Sequence, residues 1–250
     1  MVSTRALISA AFLVAAVPFP ASALTVFSGQ DIMTTTTDAH PNSAAAATAL
    51  DAAVAGLGGG SLVDFESAPL GSFTNLTIAP GVTISGTDLN GQPQTIRNTT
   101  DFPPAPTLDG YNTTSGGSTF VEVIGGTLTF NFATPVYAFG AYFSGIQTAF
   151  FPDVVTFSDG TAQSILIPGT GTNNSVGALS FVGFTDAGKA ITSITLNAGS
   201  ASLGADAIGV DDVRFAVAAV PETATWAMMI VGFGAVGAGL RRRRQGVRFA

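Results

Sequence analysis

Along residues 127–132 apolar and polar side chains alternate strictly: Leu128, Phe130 and Phe132 stand between Thr127, Thr129 and Asn131. Successive side chains of a strand point to opposite faces, so this segment predicts a strand with one face in a core and the other in water. Shorter runs of the same kind predict further strands. They fall at Leu62–Glu66, Thr74–Ile78, Val82–Ser85, Thr119–Ile124, Ala138–Phe143, Val154–Phe157, Gln163–Ile167, Leu179–Phe184, Ile191–Asn197 and Ile208–Phe215. Asn90-Gly91, Asp109-Gly110, Gly125-Gly126 and Asp159-Gly160 lie between them and supply the positive φ that tight turns require. Many short strands at this spacing predict an all-β fold, a two-sheet, jelly-roll-like β-sandwich over residues 61–218. Arg97 to Gly117, rich in Pro, Thr, Asn and Gly, reads as a long surface loop.

Only one stretch of the body breaks the period of two. Within an N-terminal segment, residues 24–60, Leu24–Gln30 reads as a short strand, and Leu50, Val54 and Leu57 then recur at helical spacing. Asn42 or Ser43 is placed to cap this short helix and Gly58-Gly59-Gly60 to end it. Its alanine-rich surface suits a support packed on a sheet edge.

The two ends follow different rules. Residues 1–23 have the layout of a secretory signal peptide. Arg5 is the positive start, Ala6 to Val17 the apolar stretch, and Ala21 and Ala23 frame the cleavage site. Partners implied are the Sec translocon and signal peptidase. At the other end, Trp226 to Leu240 carries no charge and Arg241, Arg242, Arg243 and Arg244 follow at once. This predicts a short transmembrane helix at 226–240 with its basic end in the cytoplasm and the body outside. The run is shorter than the roughly 20 residues a stable span prefers, which suits a transient anchor.

Charge and composition then narrow the function. Between the two terminal segments, residues 24–220 hold three basic side chains, Arg97, Lys189 and Arg214, against fifteen acids, all sixteen but Glu222, for a net charge of −12. Such a body repels nucleic acid and anionic lipid, so no nucleic-acid partner is expected. The chain has no Cys, which excludes disulfides, thiolate metal sites and a Cys nucleophile. Its single histidine, His40, lies in a polar turn and makes a poor catalytic base. Asp64, Glu66, Glu122 and Asp153 are carboxylates that a two-acid glycosidase would need, but nothing in the sequence singles out a pair. Asn112-Thr113-Thr114 and three similar Asn-x-Ser/Thr triplets read as loop composition.

Residues 220–244 carry a resemblance. Val220-Pro221-Glu222-Thr223-Ala224-Thr225-Trp226-Ala227-Met228-Met229-Ile230, followed by Gly232-Phe233-Gly234 and the arginine block, resembles the PEP-CTERM sorting signal of Gram-negative bacteria. Thr223 stands where that family has its second proline. The resemblance implies export, temporary anchoring in the inner membrane, processing by an exosortase-type membrane protease, and delivery to the cell surface or extracellular matrix. Its functional residues here would be Pro221, Glu222, Trp226 and Arg241 to Arg244. Pro221 lacks the N–H a helix interior needs and so sets the helix start, while Trp226 suits the membrane interface.

The body also resembles the extracellular β-sandwich of many PEP-CTERM proteins, through Val63-Asp64-Phe65-Glu66, Ala138-Phe139-Gly140-Ala141-Tyr142-Phe143, Phe184-Thr185-Asp186 and Ile208-Gly209-Val210-Asp211-Asp212-Val213. Its early Phe-Glu and closing Asp-Asp strands are similar to those of carbohydrate-binding jelly rolls, whose first and last strands lie side by side and share a structural Ca²⁺. That implies Glu66, Asp206 and Asp211 as calcium ligands, with Asp211 on the strand face of Val213 and Phe215. The function expected is a noncatalytic surface or matrix component, structural or binding exopolysaccharide. The alternatives are a secreted polysaccharide hydrolase, marked by a buried acidic pair in a groove, and a purely structural matrix protein. An exposed Tyr111 or Phe102 would mark a binding module.

Overall fold

A computed structural model describes residues 24–98, 110–147, 153–169, 177–186, 188–200, 204–217, 228–237 and 241. The signal residues Ala21 and Ala23, the sorting residues Pro221, Glu222, Trp226, Arg242, Arg243 and Arg244, and Phe102 lie outside them. In chain order the elements are β1 (Thr25–Met33), α1 (Pro41–Gly56), β2 (Ser61–Val63), β3 (Gly71–Phe73), β4 (Asn75–Ala79), β5 (Val82–Thr87), β6 (Gln94–Asn98) and β7 (Thr119–Ile124). Then come β8 (Gly126–Val136), β9 (Ala138–Ile146), β10 (Asp153–Phe157), β11 (Ala162–Ile165), β12 (Gly177–Thr185), β13 (Ile191–Ser200), β14 (Gly204–Ala205) and β15 (Ala207–Ala216). Residues 228–237 form a second helix, α2.

The strands make two antiparallel sheets. One runs β1-β12-β9-β15-β7-β6-β3, with β2 also against β15; the other runs β11-β10-β13-β8-β5-β4, with β14 beside β13. The alternation read at 127–132 is realised in β8, where Leu128, Phe130 and Phe132 are buried and Thr127, Thr129 and Asn131 are half-buried on the opposite face. The buried set meets side chains of the other sheet: Phe130 lies edge-on to Phe139 of β9 at 5.1 Å, and Phe132 contacts Phe139 and Phe215. Ile84, Ile194, Val121, Val210 and Val213 complete this shared apolar layer. The two faces of the sheets that meet here form the main core.

The strands β9 and β12 are buried on both faces. Their outer face is covered by α1, which forms a second apolar layer through Ala46, Ala47, Leu50 and Val54 against Met33, Ala138, Leu179 and Phe181. Leu50 is fully buried and lies over Gly140 and Gly183, which are paired across β9 and β12. A Cβ at Gly140 would stand 2.4 Å from Leu50 Cδ2 and 2.8 Å from Phe181 Cζ. The glycines therefore form a notch shaped for the leucine. The helix sits on the face of the sheet near its β1 edge rather than on the edge itself.

Capping differs from the sequence expectation. His40 is the N-cap and makes no side-chain cap bond. The free N–H groups of the first turn go instead to Asp31 of β1: Asn42 N donates to Oδ1 at 3.1 Å, and Ser43 N and Oγ donate to Oδ2 at 2.8 Å. Asn42 and Ser43 are thus the groups being capped, and a carboxylate remote in sequence does the work. At the other end Gly58 takes φ 102°, with Gly58 N on Ala55 O and Gly59 N on Val54 O, a Schellman closure.

Two further corrections concern strands. Arg97 and Asn98 belong to β6, paired with β7, and not to a loop; β6 has only five residues and a polar composition, so period gave no warning. The short β3 and β14 were likewise unread. Residue Asp211 does not share a face with Val213 and Phe215. The register of β15 against β9 shifts between Asp211 and Arg214, and Asp212 has φ 48°. One extra residue in a strand inverts the alternation beyond it, so Val210 and Val213 both face the core while Asp211 faces outward. Among the described residues no helix is long and apolar enough to cross a membrane.

The glycine notch gives the first prediction. Gly140→Ala should cost about 1–3 kcal/mol by overpacking, and Leu50→Ala about 2–5 kcal/mol by leaving a cavity. Because both act on the same volume, the double variant should be at least about 1 kcal/mol more stable than the sum of the two losses. Urea denaturation of the four proteins measures this, and strictly additive losses would show that the notch is not what seats the helix.

Candidate functional site at the fork in strand β15

Strand β15 changes neighbours along one edge. It pairs with β7 through Val210 and with β2 from Val213, while its other edge follows β9. Asp211 and Asp212 lie at the fork between β7 and β2. Phe65 and Asp212, the non-glycine residues of positive φ among the described ones, both lie here. A left-handed conformation at a residue with a Cβ costs roughly 1–2 kcal/mol, so contacts around the fork must hold it.

Segment 110–118 supplies those contacts. Gly110 lies against β15, where a Cβ would stand 2.1 Å from Gly209 N, so only glycine fits. Tyr111 N donates to Ser144 Oγ at 2.8 Å, and Ser144 Oγ donates back to Tyr111 O at 2.7 Å. The chain then delivers its donors to Asp211 Oδ2: Thr113 N at 2.7 Å, Thr114 N at 3.2 Å, and Asn112 Nδ2 and Thr113 Oγ1 at 3.1 Å. Thr114 Oγ1 donates to Asp212 Oδ1 at 2.9 Å. Glu66, just past β2, accepts from Ser118 N and Thr119 N at 2.9 Å and from Asn112 Nδ2 at 2.8 Å.

Asn112 is the centre of this network. Its Nδ2 lies 2.8 Å from Glu66 Oε1, 3.0 Å from the Thr119 carbonyl and 3.1 Å from Asp211 Oδ2. An amide nitrogen has two hydrogens, so three oxygens share two donors. Asp211 is fully buried, and burial raises its carboxyl to about 7; the nearby Asp212 charge also raises it, while N–H groups of Thr113, Asp212 and Thr114 oppose the shift. The basic side chains are engaged elsewhere: Arg97 pairs with Glu122, Arg214 with Asp51 and Lys189 with Asp159.

The carboxylates singled out in the sequence divide accordingly. Glu66 and Asp211 come together across Asn112. Asp206 does not join them: it stands just before β15, where it accepts from Gln147 N and Ala207 N. Asp64 Oδ1 accepts from Glu66 N and lines one of the clefts beside β2, and Glu122 is buried against Arg97. Clefts of about 370 and 310 Å³ flank β2, sharing Ser61 and Leu62, and Asp211 lines neither. His40 is exposed in its turn. Tyr111 is buried, with its hydroxyl pushed upward by burial and by the Asp38 and Asp31 charges, so it offers no aromatic face to a ligand. The sequence reading missed Asn112, Thr113 and Thr114 as functional residues. Their one signal was a run of short donor side chains next to a Gly-rich turn.

No protein-family model matches the chain, and no curated protein matches it. Solved structures show distant likeness. The K2 cleaved adhesin domain of Lys-gingipain is 13% identical, over 63% of this chain and 99% of that one, with a TM-score of 0.30. TmCBM61 in complex with β-1,4-galactotriose is 15% identical, over 62% of this chain and 94% of that one, also at 0.30. A GH87 α-1,3-glucanase catalytic domain in complex with nigerose is 14% identical, over 65% of this chain and 29% of that one, at 0.30. Likeness at this level assigns no function.

The Asp211 environment predicts a pH effect in chelating buffer. A carboxyl raised from 3.8 to about 7 in the fold contributes stability that is full below about pH 4 and is lost as pH rises through about 7. The melting temperature should therefore fall between pH 5 and pH 8, and Asp211→Asn should remove most of that fall. A wild-type profile that is flat or rising over this range would contradict the assignment.

Proposed function

We propose that this chain is an exported, noncatalytic surface or extracellular-matrix protein, held briefly at the inner membrane by its C-terminal sorting signal and then handed to an exosortase-type protease. Its jelly-roll-like sandwich serves as a structural or exopolysaccharide-binding body. The observation that carries the sorting half is α2. Met228, Ile230, Val231, Phe233 and Val236 are 61–75% exposed on one ten-residue helix, with Arg241 exposed beyond it. In water such a helix has no face to hide, whereas the sandwich buries its own apolar side chains; a bilayer or membrane partner resolves the mismatch. Against the hydrolase alternative stands Asp211, whose raised carboxyl is enclosed by backbone donors rather than open to either cleft.

Intact mass of the protein from membrane and medium, with and without the sorting protease of its host, tests the reading. A protease-dependent loss of the segment after about Pro221 is the expected result. An identical C-terminus in both strains would overturn the processing step.

Calcium is part of the same proposal. Glu66 Oε1, Asp211 Oδ2 and the Thr119 carbonyl, the hard oxygens Ca²⁺ prefers, converge on the point that Asn112 Nδ2 occupies, so the ion would enter only where the Asn112 side chain turns aside. Glu66, Asp211 and Thr119 would hold the ion, and its charge would offset the cluster's acids; Asp206 would take no part. Millimolar Ca²⁺ should raise the melting temperature at pH 8, and Glu66→Gln should abolish the rise. No response of the wild-type protein would remove calcium from the proposal.

A further inference from the structure

The eight-stranded sheet is covered outside by α1 and by segment 110–118. The seven-stranded sheet has a different outer face. Register places Thr156, Ser193, Asn131, Thr83 and Thr77 side by side across β10, β13, β8, β5 and β4. Two residues along each strand, Thr195, Thr129, Ser85 and Asn75 form a second row, which Val154 extends onto β10. All these side chains are half-buried or exposed, opposite the buried set on the same strands. Neighbouring strands are about 4.8 Å apart and i, i+2 residues about 6.8 Å, so the face is a two-dimensional lattice of hydroxyl and amide groups.

Three properties of the lattice say what it fits. It carries no charge, although the body that bears it has fifteen acids against three bases. Its groups both donate and accept hydrogen bonds, as sugar hydroxyls do. Its threonines are β-branched, with few rotamers to lose on binding, and Thr129 Oγ1 and Thr195 Oγ1 already hold each other at 3.0 Å. Nor does the fold require this composition, since a solvated sheet face tolerates charges of either sign. An anionic polymer would meet no positive charge here and would face repulsion from the acids around it. A neutral, ordered array of hydroxyls is complementary in charge and in hydrogen bonding.

We infer that the outer face of β10, β13, β8, β5 and β4 is the docking surface for a neutral, ordered polysaccharide. The inference rests on the polysaccharide reading above and gives it a place and a substrate class. Binding comes from many weak contacts in register, without an aromatic platform or a pocket.

The test is depletion of the full exported protein from solution by insoluble neutral glucans, microcrystalline cellulose and a β-1,3-glucan, with polygalacturonate as a soluble anionic competitor. The wild type should adsorb to at least one glucan, and polygalacturonate should not compete. Thr129→Val with Thr195→Val keeps the side-chain shape and strand propensity but removes two central hydroxyls, and should weaken adsorption roughly tenfold. Thr95→Val, on β6 of the other sheet, should leave it unchanged. Melting curves confirm that the variants fold. Adsorption that survives the double substitution would overturn this face while leaving polysaccharide binding in place. No adsorption of the wild type to either glucan would overturn both.

Discussion

The constraint on which the structure turns is that β15 must serve two partners along one edge. A strand pairing with β7 and then β2 has backbone groups at the changeover that neither partner reaches. The chain meets this with a bulge and a left-handed Asp212, and it closes the gap with a segment brought from a different part of the sequence. Asp211 and Glu66 are acceptors placed where backbone N–H groups of that segment would otherwise be unsatisfied. The cost is a buried carboxylate beside another acid. This makes the fork an electrostatically stressed point and ties β2, β7, β15 and segment 110–118 together through hydrogen bonds.

A second consequence is the inequality of the two sheets. Gly140 and Gly183 let Leu50 approach the backbone of β9 and β12, and Asp31 fixes the start of α1 against β1. With α1 on one part of the outer face and segment 110–118 on another, β9, β12 and most of β7 are buried on both faces. Asp31 contributes in the opposite pH sense from Asp211. Burial alone would raise it, but hydrogen bonds from Ser43 and Asn42 outweigh that and leave it lowered, so its stabilisation is present at neutral pH and fades in acid. The stability of the sandwich therefore has an acid limb set at the helix cap and an alkaline limb set at the fork.

Much of this was legible in the sequence, for identifiable reasons. Long strands with one buried face, such as β8, announce themselves through Leu128, Phe130 and Phe132, and Asp159-Gly160 marks the β10–β11 hairpin because Gly160 needs its positive φ. Leu50 and Val54 likewise marked the helix and its buried side. What could not be read are relations between distant residues. That Asp31 rather than Asn42 caps α1 depends on β1 lying beneath it, and the bulge that turns Asp211 outward leaves no trace in local hydrophobicity. The Asn112-Thr113-Thr114 run was visible but looked like loop composition, since its meaning lies in carboxylates 46 and 98 residues away. The sequence resemblance therefore named both acids of the site, Glu66 and Asp211, together with Asp206, and missed the groups that organise them.

The distribution of charge connects these observations. Across the order β11-β10-β13-β8-β5-β4, six strands about 4.8 Å apart make a face roughly 24 Å wide. The half-width, about 12 Å, exceeds the Debye length of about 8 Å at physiological salt and lies well within the roughly 30 Å of low salt. At low salt the acids extend their field over the lattice and repel anionic polymers from it. At physiological salt the centre of the face is screened, and what a ligand meets there is hydrogen-bonding geometry alone. A body with a large negative charge can thus stay soluble and self-repelling in a crowded matrix and still present one surface on which charge does not decide what binds. That division follows from the uncharged hydroxyl and amide side chains Thr127, Thr129 and Asn131 of β8 and Ser193, Thr195 and Asn197 of β13, and it would be lost with a single lysine or glutamate at Thr129.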